Sequence, residues 1–139
     1  MTKQLIYSTL AGTVVFFLGG WLIYGILLAG FYETQSIAPA GFTKDPESAS
    51  LAGLLIANFV YALLLAVVFT RWANISTFQT GATAGAIISF LVSLSMNLGY
   101  FSMNNYMTAT GYVVDTLTWT LFSGLVGGVM GWVLGKTPT

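Results

Sequence analysis

Cysteine and histidine are both absent. That removes disulfides, thiolate nucleophiles, Fe–S clusters, His-ligated haem, ordinary zinc sites and imidazole acid–base chemistry. No cofactor is expected. Missing cysteine leaves the redox compartment open. Charge is almost absent as well: 6% of the 139 residues are charged, four basic and four acidic. A soluble domain carries about 25%. Eight charges cannot cover a soluble globule of this size. There is no basic stripe for nucleic acid and no polybasic patch for an anionic lipid surface. Proline is scarce too, and two of the three, Pro39 and Pro46, fall in one polar segment.

What fills the chain is apolar: 56% of the residues are hydrophobic, gathered in four long runs with the charges near their ends. These lie at about Leu5–Gly30, Leu51–Thr70, Thr80–Phe101 and Tyr112–Gly135, the last starting at Tyr112 or at Thr116. Each is about twice as long as a membrane β-strand and shows no alternation, so helices are the expected spanning form. The expectation is an all-α integral membrane protein, a four-transmembrane-helix bundle in one domain over residues 1–139. The first run spans roughly 39 Å against a hydrocarbon core of ~30 Å, which predicts tilt or a kink. It is too long for the apolar region of a signal peptide. Residues 31–50 hold Pro39, Gly41, Pro46, Glu33, Lys44, Asp45 and Glu47 and read as a polar outer loop.

Four spans put both termini on one side, with the loop between the second and third. That side carries Lys3, Arg71 and Lys136; the other carries Lys44 beside three acids. The positive-inside rule places the termini in the cytoplasm. Tyr7, Trp72 and Trp132 then sit at the inner interface, and Tyr32, Tyr100, Tyr106 and Tyr112 at the outer one. Asn74-Ile75-Ser76 fits a glycosylation acceptor, but the same topology leaves it in the cytoplasm.

Two spans carry rows of small residues: Gly81, Gly85, Ser89, Ser93 and Asn97 in the third, and Thr116, Thr120, Gly124 and Gly128, then Gly131 and Gly135, in the fourth. Residues four apart share a helix face, and small side chains let backbones approach. The rows either face each other within one chain, or one of them meets a second subunit, or they reflect the frequency of Gly in membrane helices. Gly12, Gly19, Gly20, Gly25 and Gly30 of the first span mark bends or close contacts. They have no Lys or solvated helix start to make a phosphate loop.

Polar residues gather in the outer half. Asn58, Tyr61, Asn97, Tyr100, Asn104 and Asp115 are the candidates for a ligand or ion site. Asn97, Tyr100 and Asn104 share one helix face, and unpaired amides in hydrocarbon are costly enough that these groups should turn inward and pair. The alternative for the Asn and Tyr groups is interhelical hydrogen bonding. Asp115 has two readings. It caps the fourth helix, or it sits in a polar cavity with Asn97 or Asn104. Glu33 reads as a solvated boundary charge, and Trp21 and Trp119 as packing or lipid-contact residues.

The stretch Phe17-Leu18-Gly19-Gly20-Trp21-Leu22-Ile23-Tyr24-Gly25, followed by Phe31, resembles the first helix of a family of small bacterial membrane proteins, the "domain of unknown function 1761" group. The last helix, Gly111-Tyr112 through Gly131, is similar in its Gly-Tyr start and Gly-rich end. The family places a Trp and a Tyr side by side, where Trp21 and Tyr24 here are separated. The resemblance implies a small bacterial inner-membrane protein and brings no activity. The trimeric four-helix glutathione- and eicosanoid-metabolising enzymes hold an anionic thiol with basic residues inside the bundle; no span here carries one. Small multidrug exporters keep a Glu within the first helix, whereas Glu33 lies beyond it.

These features lead to a non-enzymatic membrane component working by helix–helix contact, with membrane lipids and either a second copy or another membrane protein as partners. The alternatives are a small transporter or channel for a neutral solute, cation or proton, and a binder of lipid or apolar ligand, each using the outer polar cluster. One carboxylate and several Asn make no acid–base or nucleophile pair.

Overall fold

A computed structural model of the chain describes residues 2–44, 47 and 49–138. Asp45 and Pro46, two of the residues assigned to the polar loop, lie outside them. The described residues form α1 (Thr2–Leu22), a π-helical turn (Ile23–Leu27), α2 (Ala29–Gln35), α3 (Leu51–Arg71), α4 (Phe78–Met103) and α5 (Ala109–Lys136). Four helices are long and apolar enough to cross a bilayer.

Local chemistry sets the helix starts. Ser50 Oγ accepts from Gly53 N at 3.0 Å, Thr77 Oγ1 from Thr80 N at 3.1 Å, and Thr108 Oγ1 from Gly111 N at 3.2 Å. Each side chain satisfies one of the free N–H groups of a first turn. The Thr108 cap corrects two expectations. The fourth long apolar helix starts at Ala109, ahead of Tyr112 or Thr116. Asp115 lies about two turns inside it and so is not its cap. At the other end of α3, Asn74 takes the left-handed conformation (φ 50°) that Asn tolerates, and the chain reverses into α4.

The expected kink in the first span is present and has a specific form. Leu28 N bonds to Ile23 O at 2.8 Å, the i→i+5 pattern of a π-turn, and Leu28 itself leaves helical geometry (φ −109°, ψ 3°). Residues 29–35, partly assigned to the loop, form α2. The polar segment begins after it, where Ser36 turns extended and Pro39 opens a turn closed by Phe42 N donating to Pro39 O (3.1 Å). Gly41 supplies the positive φ (83°) that the third residue of such a turn needs.

α5 is the central helix. It packs most closely on α4 along its length, and α1 lies on its other side between α5 and α3. α3 barely touches α4 although the two are consecutive. The core is apolar and aromatic. Phe16, Leu65, Phe69, Val126 and Met130 are fully buried, and Phe16 stacks on Trp119 with centroids 5.4 Å apart. Gly12 lies against Ala62 and Met130, and Gly19 against the Phe122 ring, so these glycines serve close contact. Trp21 is exposed on the outside of the bundle.

The α4–α5 seam answers the question of the small-residue rows: they face each other within the chain. A Cβ built on Gly85 would lie 2.8 Å from Ser123 O and 3.1 Å from Gly127 Cα, and one on Gly81 would overlap Gly127 O. On α5 the row is Ser123, Gly127, Gly131 and Gly135, one position away from the expected Thr116–Thr120–Gly124–Gly128 row. Gly124 and Gly128 flank it, against Ala86 and the Phe78 ring, and Gly131 and Gly135 run beside the backbone of Thr77 and Ser76. Adjacent positions differ by 100° around a helix. Either row is legible in the sequence, and only the angle of α5 to α4 chooses between them. Thr116 is buried above the seam, where it donates to Tyr112 O at 3.0 Å, and Thr120 donates to Thr116 O at 2.7 Å.

The start of α1 and the end of α5 lie at one end of the bundle. Gln4 Nε2 donates to Thr137 O at 3.2 Å, covering a carbonyl beyond the end of α5. At the opposite end a two-bond clasp ties the segment after α2 to the α4–α5 turn. Thr108 N donates to Gln35 O and Ile37 N to Tyr106 O, both at 3.0 Å.

Candidate functional site

Above the seam, at the clasp end, the helices part around a cleft of about 710 Å³. Every wall comes from an element just described. The π-turn contributes Tyr24, α2 contributes Tyr32, and the following segment Ser36, Phe42 and Thr43. The end of α4 supplies Asn97, Tyr100 and Asn104, the α4–α5 turn Tyr106 and Met107, and the start of α5 Tyr112 and Asp115. Five of the chain's seven tyrosines line it. The Pro39–Gly41 turn folds Phe42 back so that its ring sits 5.1 Å from that of Tyr106.

Asp115 is the chemical centre. Its Oδ1 accepts from Tyr32 Oη at 3.0 Å and its Oδ2 from Asn97 Nδ2 at 2.8 Å. An ionised carboxylate can only accept, which fixes the Asn97 amide with its nitrogen toward Asp115. The same nitrogen lies 2.9 Å from Thr116 Oγ1. Burial, and then the neighbouring Asp115 carboxylate, raise the Tyr32 phenol above its ordinary value, so it remains a donor at neutral pH. Both of these partners are neutral. Among the described residues that line the cleft there is no Lys or Arg. Lys44 follows the cleft residue Thr43 and is exposed.

Two more tyrosines line this space, with their hydroxyls enclosed and not open to it. Tyr24 Oη and Tyr112 Oη are buried and make no hydrogen bond, although buried hydroxyls are usually paired. Tyr112 as a residue is only 6% exposed. The Tyr24 ring stands 5.6 Å from that of Tyr32. It reaches the cleft from a π-turn, a backbone form often found at functional sites.

Of the six candidates read from the sequence, four meet here: Asn97, Tyr100, Asn104 and Asp115. The reading of Asp115 in a polar cavity with Asn97 is the one the geometry supports. Asn58 and Tyr61 are elsewhere, which corrects their grouping with the cluster. Asn58 Nδ2 donates to Leu54 O on its own helix at 2.9 Å, so it satisfies a donor without crossing to another helix. Tyr61 Oη donates to Ser89 Oγ at 2.8 Å, an interhelical bond beneath the cleft that ties α3 to α4. Its ring packs on Phe16 and Trp119.

Sequence reasoning missed Tyr24, and it assigned Tyr32, Tyr106 and Tyr112 to an interfacial belt. The signal that they belong together was their number: four tyrosines expected at one interface of a four-helix protein are enough to line a cavity.

A second, apolar hollow of about 320 Å³ lies on the outer side of the α4–α5 pair, between Phe90, Leu94, Leu98 and Phe101 on α4 and Val113 and Leu117 on α5. Asn97 and Tyr112 line both spaces. Comparison with family models, curated proteins and solved structures gives no match.

Proposed function

We propose that this is a non-enzymatic inner-membrane protein that binds a small organic cation in the Asp115 cleft, with both termini in the cytoplasm and the cleft on the outer face. One observation carries the reading: a carboxylate two turns inside a spanning helix, held by neutral donors alone, faces a cleft walled by tyrosines. An anion so placed gains most from a cation that leaves water to meet it. Tyrosine faces attract such cations by their ring quadrupoles. The absence of basic lining residues supports a cation over an anion. This belongs to the transporter and ligand-binding class of readings; the glycine seam closes the α4–α5 interface beneath the cleft.

The test uses choline and its uncharged isostere 3,3-dimethylbutan-1-ol, titrated against the protein in nanodiscs by calorimetry. Choline is expected to bind at least tenfold more tightly, and Asp115→Asn to remove that preference. Equal binding of the two compounds, or a preference that survives Asp115→Asn, sinks the reading. Because the chain has no cysteine, single cysteines placed at Thr43 and Asn74 report orientation directly. A membrane-impermeant maleimide added outside should label the first and spare the second.

A second reading keeps the protein as an accessory component working by helix contact. Its support moves from the glycine rows, which are used inside the chain, to α3. Leu51, Leu54, Leu55, Ile56 and Val60 of its first half are exposed, and α3 has few contacts with α4 and α5. A defined oligomer in native mass spectrometry, dispersed by Leu55→Asn, would favour it.

A further inference from the structure

α3 meets the bundle over only half of its length. Its core residues Phe69, Leu65 and Ala62 are fully buried, and the same stripe continues as Asn58, Leu55 and Leu51 in alternating steps of three and four residues. That 3.5-residue repeat is the seam of a left-handed helix pair. The protein's own core fills the lower part of the seam, and nothing fills the upper part. Nine of the ten residues from Leu51 to Val60 are exposed, and the tenth, Asn58, is half-buried. Tyr61, bonded to Ser89 of α4, is where α3 rejoins the bundle. We infer that the upper seam is the contact between two copies of this chain, α3 against α3, with Asn58 facing Asn58 across a two-fold axis. This rests on the helix-contact reading above, gives it a partner and a face, and does not need the cation.

Asn58 argues for a partner, and for this one. It lies about 10 Å along α3 from the first residue of the helix, a depth in a membrane where an amide without partners is costly. Its only hydrogen bond among the described residues runs from Nδ2 to Leu54 O on its own helix. The carbonyl Oδ1 and the second N–H are left over. Lipid tails satisfy neither, and a second copy satisfies both. Copies in one membrane share an orientation, so their α3 helices run parallel. A two-fold axis along the membrane normal then sets equal residues at equal depth. Each Asn58 amide donates to the carbonyl of the other, and Leu51 and Leu55 meet their own counterparts one and two turns away. A single Asn in an otherwise apolar seam fixes register and the number of helices, so the contact is a dimer with one alignment.

The experiment is oxidative cross-linking of single cysteines in proteoliposomes at low protein-to-lipid ratio; the chain has no cysteine of its own. Leu51→Cys and Leu55→Cys lie on the seam. Ile56→Cys and Val60→Cys are the controls, since those positions are also exposed (62% and 57%) but point about 160° away from Asn58. None of the four is a core residue, so the fold is kept. Disulfide-linked dimers should form at least fivefold faster from the seam pair than from the controls. In Leu55→Cys, adding Asn58→Leu should slow the cross-link about fivefold, the loss of two interhelical bonds, while Asn58→Gln, which keeps an amide, should retain most of the rate. Equal rates on the two faces, or no effect of Asn58→Leu, overturns the inference. A defined oligomer in native mass spectrometry without preference for the seam defeats this interface and leaves the helix-contact reading standing. A strict monomer, with no cross-link from either face, defeats both.

Discussion

The same two helices, α4 and α5, build both halves of the molecule, and they do opposite things in them. Toward the termini their backbones nearly touch, because Gly81, Gly85 and Gly127 leave nothing between them. Toward the clasp, three to four turns along, the facing residues are Asn97, Tyr100, Tyr112 and Asp115, and the helices bound a cleft. The lower half depends on close backbone approach, with the Ser123 hydroxyl buried in the seam without a partner. The upper half has, among the described residues, the only carboxylate within one of the four long helices. The glycine seam holds α4 on α5 beneath the cleft, and above it Asn97 still bonds across to Asp115 and Thr116, so the cleft opens beside the pair, toward α2 and the π-turn.

The comparison breaks most severely at the seam. Gly85→Leu inserts a side chain where even a Cβ would lie 2.8 Å from Ser123 O, and backbone cannot step aside as a rotamer can. A loss of about 3 kcal/mol is expected, at the upper end of over-packing, with a lower midpoint for thermal unfolding in detergent. Gly99→Ala is the internal control: nothing lies within 4 Å of the added carbon, so the midpoint should hold or rise slightly. Equal losses in both would mean that the seam is not where α4 and α5 are held.

Asp115→Asn should separate the halves in the other direction. It keeps the shape, removes the charge and leaves Tyr32 and Asn97 with an amide to bond. Choline binding is expected to drop by at least tenfold, about 1.4 kcal/mol, while the unfolding midpoint stays or increases, because an unpaired carboxylate near hydrocarbon costs stability. A large fall in the midpoint would make Asp115 a structural residue and leave the cleft without its centre.

The clasp should respond less. Thr108 caps α5 through Gly111 N, donates to the Gln35 side chain and pairs its backbone with Gln35 O. Thr108→Val removes the first two and keeps the third. About 1 kcal/mol of stability should go, the usual worth of a cap. Hydrogen exchange should rise at residues 35–37 and 106–111 and stay unchanged in the seam. Exchange rising in the seam as well would show the two halves to be one cooperative unit.

Legibility in the sequence follows the same division. Four long apolar runs became four helices long and apolar enough to cross a bilayer, and the first, too long for a bilayer's thickness, is interrupted where the π-turn lies. Those are one-dimensional properties. The seam was half legible: small residues at four-residue spacing announced a close approach, yet Gly127 was passed over because two rows of α5, one residue apart, are equally good on paper. The cleft was least legible. Asp115 looked like a helix start because Tyr112 and Thr116 looked like the beginning of the apolar run; Thr108 begins the helix earlier because its hydroxyl can cap. Tyr24 gave no sign, since a π-turn rotates the residues around it out of the regular helical register and no composition rule marks where one will form.

The smallest effect should come from Tyr61, and it sharpens the boundary between the halves. Its hydroxyl donates to Ser89 Oγ at 2.8 Å, just beneath the cleft, and links α3 to α4 where those helices otherwise have little contact. Tyr61→Phe keeps the ring against Phe16 and Trp119 and removes that bond alone. Interhelical hydrogen bonds in membrane proteins average about 0.6 kcal/mol, so the midpoint should shift only slightly and choline affinity should not change. Hydrogen exchange should increase in α3 first, because apart from α1 it has little else to hold it. A clear loss of choline binding would place Tyr61 in the working site after all, extending the cleft downward into the aromatic core around Trp119.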